Sequence, residues 1–233
     1  MTRKEAVEYY HQLLEDADLV SESVDVLDRG LESARLIFGG RRLTPYLRPH
    51  FITAEEWAMA RKACETIWGT LQKVKDAAVE SDELLDELGI TEIERELVKV
   101  DPGYRQVSPT ARLDSFLGES AYSFVELNGE SPASMAYSDV LSDLFLETPL
   151  MQAFGARYHV EPVAVGRRSA VDALLRIYYQ WRGNRDKLPD IAIVDWKGVP
   201  TTTEFHLFVD YFARYGITVT ICDPSKMEFR NGV

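Results

Sequence analysis

Two short apolar and aromatic runs, ARLDSFL (111–117) and AYSFVELN (121–128), stand on either side of Gly118, Glu119 and Ser120, which is the pattern of a β-hairpin. No other stretch restricts the chain so tightly. Side chains alternate along a strand, so Arg112 and Asp114 share one face of the first strand, and Glu126 and Asn128 share one face of the second. An odd connection puts both polar pairs on the same face, and an even one sends them to opposite faces. In the odd register Asp114, Glu126 and Asn128 converge beside the Arg112 guanidinium, and such hard oxygens suit Mg2+. The alternative is an amphipathic hairpin with a solvated polar face and an ordinary surface ion pair.

The R-x-D of Arg112–Asp114, the strand ending FVELNGESPAS, and the spacing from Asp114 to Glu126 and Asn128 resemble the metal-binding hairpin of the circularly permuted ATP-grasp proteins. That group includes glutathionylspermidine synthetase-like carboxylate-amine ligases. The resemblance implies that Asp114, Glu126 and Asn128 hold the Mg2+ of Mg-ATP, that Arg112 lies over the transferring phosphoryl group, and that Ser131 and Ser134 bind substrate. YLRPHF (46–51) and the segment from IAIVDWKG to CDP (191–224) are also similar to that family, so the likeness runs over about residues 41–233.

Composition narrows the function classes. Hydrophobic content of 45% and charged content of 27% fit a folded domain rather than a disordered chain. A net charge of -12 argues against nucleic acid or an anionic membrane as partner, since phosphate binding needs clustered Lys and Arg. The N-terminus, MTRKEAVEYYHQLLEDADL, has charges throughout, and no run approaches the roughly 18 apolar residues of a membrane span. A cytoplasmic location is expected. Cys64 and Cys222 have no zinc or redox spacing and read as buried thiols. The histidines (His11, His50, His159, His206) share no spacing that would support a metal site or a Ser/His/Asp triad.

The predicted fold class is α+β / α/β: a helical region (1–105), a hairpin and helix carrying the metal and substrate motif (106–160), and a βαβ unit with a parallel sheet (161–233). Helices are expected over 5–15 and 24–38, the second stopped by Gly39 and Gly40, with an extended connection over 41–52. In that connection Arg41, Arg42 and Arg48 are candidates for a phosphate or carboxylate. Thr53–Glu56, Thr91–Glu94 and Thr201–Glu204 each read as a capping box. Behind the first, Trp57, Ala60, Cys64, Ile67, Leu71 and Val74 form one apolar stripe, expected to be core. The acidic run from Glu80 to Glu87 reads as a solvated face.

Ser138 or Asp139 is expected to cap the helix after the hairpin, aiming its free amides at an anionic substrate group. A helix over 169–181 turns Val171, Leu174, Leu175, Tyr178 and Trp181 inward. Ile191–Val194 reads as a strand buried on both faces, and Asp195, Trp196, Lys197 and Asp223 stand where open α/β sheets bind ligands. No G-x-G-x-x-G or P-loop occurs.

The closing MEFRNGV reads as a strand entering a turn at Asn231-Gly232, so the chain is expected to be the N-terminal portion of a longer ligase that uses ATP and Mg2+ to join a small-molecule carboxylate to an amine. A non-catalytic binding module that keeps the fold is the second reading. A hydrolase using Asp114 and Glu126 as acid and base is the third.

Overall fold

Helical periodicity and strand alternation divide the chain much as expected in this computed structural model, which describes residues 2–106, 108–118, 121–163, 165–228 and 230. The order is α1 (Arg3–Leu13), α2 (Ala17–Ser33), β1 (Ile37–Phe38), β2 (Arg41–Arg42), α3 (Ala54–Val79), α4 (Asp82–Glu87), α5 (Glu92–Val98), β3 (Arg112–Leu117) and β4 (Tyr122–Asn128). There follow α6 (Met135–Leu146), α7 (Pro149–Gly155), α8 (Gly166–Arg182), β5 (Asp190–Val194), α9 (Thr202–Ala213) and β6 (Thr218–Cys222). The class is mixed α+β, and each sheet has two strands. Two units form, one from residues 1–51 and 132–233, the other from 52–131. Among the described residues no helix is long and apolar enough to cross a membrane. The expected Asn231-Gly232 turn lies outside the described residues, and Met227 and Glu228 before it form no strand.

The larger unit has a core where α1, α2, α6 and α7 bury Tyr10, Leu27, Leu31, Leu36, Tyr137, Leu150 and Phe154. Phe51 stacks on Phe154 with ring centroids 4.7 Å apart, and Tyr10 meets both rings edge-on. Offset and edge-on pairs of this kind add about 0.5–1.5 kcal/mol each to the burial itself. The Tyr10 hydroxyl donates to the Leu47 carbonyl at 2.8 Å, and burial pushes its pKa up to about 12. One polar group at full burial is satisfied across the core: Ser23 Oγ accepts from Leu150 N at 3.0 Å.

Helix α2 ends earlier than its periodicity implies. Arg35 takes a left-handed φ of 52°, and β1 then pairs antiparallel with β2 through Gly39 and Gly40. The glycines therefore turn a hairpin rather than stop a helix. Arg42 reaches back to Asp28 and Glu32, which engages one of the three candidate loop arginines in an ion-pair network.

The βαβ pattern forms as read, with β5 and β6 parallel from Asp190↔Thr218 to Val194↔Cys222. Ala170, Val171, Phe212 and Ile217 are its buried centre, with Ile191 and Val219 packed against them. The strand is not buried on both faces: Asp190, Ala192 and Val194 are exposed between half-buried Ile191 and Ile193. An all-apolar run implies two covered faces, but here helices cover one. Trp181, expected inward, is 60% exposed, because it lies in the last turn of α8. Cys64 and Cys222 are free thiols, half-buried rather than buried.

In the smaller unit both capping boxes hold: Thr53 accepts from Glu56 N while Glu56 accepts from Thr53 N, and Thr91 and Glu94 repeat the exchange. The α3 stripe is only partly core. Ala60 is buried, Cys64, Ile67 and Leu71 are half-buried, and Trp57 and Val74 are exposed.

Two glycines separate a required contact from a merely tolerated one. At Gly166 a Cβ would run into the backbone carbonyl of Met135, whereas Gly69 in mid-α3 has open space around it. Gly166→Ala should therefore cost about 1–3 kcal/mol through overpacking. Gly69→Ala should stabilise by about 1 kcal/mol through helix propensity. Thermal unfolding of both variants, read as Tm shifts of opposite sign, checks this.

Candidate functional site

The hairpin forms over the expected strands, and its register follows from a detail outside the strand pattern. Leu117 pairs with Tyr122, so residues 118–121 make an even, four-residue connection. That parity alone would put the polar pairs on opposite faces. Between Ser115↔Phe124 and Asp114↔Glu126, however, the register shifts by one residue at Val125. A β-bulge of this kind leaves one residue unpaired and resets the alternation. Asp114 then pairs with Glu126 and Arg112 with Asn128, and the four polar side chains share a face. Glu119 and Ser120 of the connection lie outside the described residues.

The opposite face anchors the hairpin. Leu113, Ser115, Leu117, Tyr122 and Phe124 are half-buried there. Ser115 Oγ donates to the Tyr122 hydroxyl at 2.6 Å, Tyr122 lies 3.9 Å from Cys64 Sγ on α3, and its ring meets Phe124 edge-on at 5.1 Å. At the hairpin's base the Ser108 hydroxyl donates to the Gly129 carbonyl. Packing of this face, not the charges, holds the strands in place.

On the polar face Arg112 Nε donates to Asp114 Oδ1 at 2.7 Å and Nη2 to Oδ2 at 3.4 Å, with Nη2 4.0 Å from Glu126 Oε1. Asn128 Nδ2 donates to Glu126 Oε1 at 2.8 Å. The side chains of Arg112, Asp114 and Glu126 are 40%, 39% and 57% exposed, and ion pairs at such exposure contribute only about 0–1 kcal/mol. The cluster is thus dispensable for stability. Its donor set, two carboxylates and an amide within one hairpin face, is of the hard-oxygen kind that divalent cations take. The Asn128 Oδ1 oxygen accepts no hydrogen bond among the described residues.

Ser131 and Ser134 follow directly. Both are exposed, and both take left-handed backbone, with φ of 32° and 82°, a conformation that costs a non-glycine residue of order 1–3 kcal/mol. Ser131 closes the smaller unit, and Ser134 belongs to the larger.

Helix α6 departs from expectation. Its N-cap is Ser134, not Ser138 or Asp139, and no side chain of its own segment caps it. Instead Glu204, 2% exposed, reaches across from α9 and accepts from Ser134 N and Ala136 N, both at 2.8 Å. The amides expected to face a substrate anion are held by this carboxylate. Consequently Thr201–Glu204 is not a capping box: Thr201 has helical backbone and makes no side-chain cap bond. The Tyr137 hydroxyl returns the contact by accepting from Glu204 N at 3.1 Å. Asp139, inside α6, caps α8 by accepting from Arg167 N at 3.1 Å and ion-pairs with Arg167 Nε at 2.9 Å. These partners lie 28 to 70 residues apart in sequence, and no local motif announces them.

At the carboxyl ends of β5 and β6, Asp195 accepts from Trp196 N at 2.7 Å. Asp223 accepts from Ser225 N at 2.9 Å and from its hydroxyl at 2.6 Å. The Ser225 hydrogen bonds hold the Asp223 carboxyl below its ordinary range. Both carboxylates build turns, while Trp196 is 64% exposed beside them.

No protein-family model matches this sequence, and no curated protein matches it.

Burial, opposed by the backbone N–H bonds, raises the Glu204 pKa above its ordinary 4.5. A folded-state pKa above the unfolded one means that stability is gained as pH falls through it and lost as pH rises. Glu204→Gln, which keeps one acceptor oxygen and sets an N–H against an N–H, should cost about 1–3 kcal/mol at neutral pH. The gap should widen on acidification towards pH 4.5, because only the native residue gains. Denaturant melts of both proteins across pH measure this, and a pH-independent gap contradicts it.

Proposed function

We propose that this chain supplies the Mg2+-binding hairpin and the substrate-side α/β unit of an ATP-dependent carboxylate-amine ligase resembling the glutathionylspermidine synthetase group of circularly permuted ATP-grasp proteins. In that reaction the γ-phosphoryl group of ATP passes to a carboxylate, and an amine displaces phosphate to form the amide. The observation that supports the reading is the direct cross-strand pairing of Asp114 with Glu126 and of Arg112 with Asn128, which gathers two carboxylates, an amide and a guanidinium on one dispensable, half-exposed face. Asp114, Glu126 and Asn128 would hold the Mg2+, which when bound neutralises phosphate charge. Arg112 Nε and Nη2, which here fork onto the Asp114 carboxylate, would match two oxygens of a phosphoryl group in the same way once Asp114 turns to the ion. Positioning and charge compensation are most of what phosphoryl transfer asks of a protein. The left-handed backbone at Ser131 and Ser134 is the kind of strain that clusters at binding sites, in keeping with hydroxyls that meet substrate.

A second reading, a binding module without catalysis, is favoured by one observation: Arg112 and Asn128 already satisfy both carboxylates without a metal. The two readings separate on metal affinity. Titration with Mn2+ as a paramagnetic stand-in for Mg2+ should show Asp114→Asn with Glu126→Gln weakening binding by about 10–100-fold. Arg112→Ala should keep or raise Mn2+ affinity, because it removes a competing cation. Unchanged affinity in the double variant would favour the binding module. In a full-length ligase that joins this chain to a nucleotide-binding half, Arg112→Ala should slow ATP-dependent coupling of carboxylate and amine about 10³-fold with the fold intact by circular dichroism.

A further inference from the structure

Helix α5 is sparsely covered, with every residue but half-buried Arg95 exposed. It has no buried residue, and Ile93, Leu97 and Val100 are 68%, 63% and 65% exposed. Ile93 and Leu97 stand one turn apart on one face of α5, and Val100 follows just past its C-cap. Leu84 on α4 and Leu88, its C-cap, repeat the i, i+4 spacing and are also exposed. A seven-residue helix is marginal in water. What holds it here is electrostatic: the Thr91–Glu94 capping box, Arg95 bridging to Asp82 and Asp86, and Lys99 bridging to Asp82. None of these covers the apolar stripe. An amphipathic helix whose apolar face is left open is a recognition surface in waiting.

The charge around the stripe selects its occupant. Between Glu80 and Asp101 the only basic residues are Arg95 and Lys99, and both are engaged with Asp82 and Asp86. Glu83, Glu87, Glu92 and Glu96 are exposed and make no ion pair among the described residues. The charges of this rim left without an ion pair among the described residues are therefore all acidic. A second copy of this chain, with a net charge of -12 and the same acidic rim, would meet like charge. We propose that the α4–α5 face is a docking surface for a basic amphipathic helix of a partner protein, with apolar anchors at i, i+4 and i+7 and Lys or Arg on its flanks.

Fluorescence anisotropy with a labelled 18-residue Leu/Lys peptide patterned as an amphipathic helix tests this, beside an isomer of the same composition with scrambled order. The patterned peptide should bind about 10-fold tighter or more, the ratio expected when apolar anchors add to charge attraction. Ile93→Ser with Leu97→Ser should erase that ratio, and Glu92→Gln with Glu96→Gln should weaken both peptides and flatten the salt dependence. All four substituted residues are exposed, so the variants should keep the native circular dichroism spectrum. Equal binding of the two peptides, or an unchanged ratio in the Ser variant, overturns the proposal. So does a dimer in sedimentation that the Ser variant abolishes, which would assign the face to a second copy.

Discussion

The buried carboxylate of Glu204 is the constraint on which the larger unit depends. An ionised carboxylate taken out of water is costly unless hydrogen bonds replace its hydration, and here the first amides of α6 do so. The exchange serves both partners, since helix starts leave orphan N–H groups that need acceptors. Because the Tyr137 hydroxyl accepts from Glu204 N and Asp139 caps α8, three helix starts are tied into one polar knot beside the apolar layers. Gly166 follows from the same geometry: α8 begins so close to the α6 backbone that no side chain fits. The βαβ layer is thereby fixed to the helical core by directional bonds as well as by apolar packing.

The hairpin of the smaller unit solves a different problem. A cluster of half-exposed charges contributes little to stability, so its placement must come from the opposite face, where Tyr122, Phe124 and Ser115 pack and hydrogen-bond towards α3. This division of labour leaves the polar face open to chemistry: its residues can change without loss of the scaffold. The bulge at Val125 joins the two roles, because it turns Phe124 to the packed side and Glu126 to the polar side within three residues.

Both units leave apolar side chains open, Trp181 and Trp196 of the larger among them, and they differ in the core that lies behind. The larger has a continuous aromatic and aliphatic core, whereas the smaller exposes Ile93, Leu97, Val100, Phe116 and Val125. Short capped helices braced by ion pairs can persist with their apolar faces solvated, but such faces are uncommon in monomeric proteins except where something binds.

Local rules determined much of this molecule. Capping boxes at Thr53 and Thr91, period-2 runs in β3 and β4, and the apolar run flanking α9 were legible because each depends on residues within a few positions of one another. The identity of the polar hairpin residues was legible for the same reason. Three features were decided only by tertiary structure. Glu204 reads from its neighbours as a local cap, but the α6 amides, about 70 residues away, compete for its carboxylate and win by enclosing it. The open face of β5 depends on how many helices pack on the sheet, which an apolar run does not encode. The shared face of Asp114 and Glu126 rests on a bulge that offsets an even connection. A bulge is set by which side of the strand finds a packing partner, and that partner, α3, is remote in the chain.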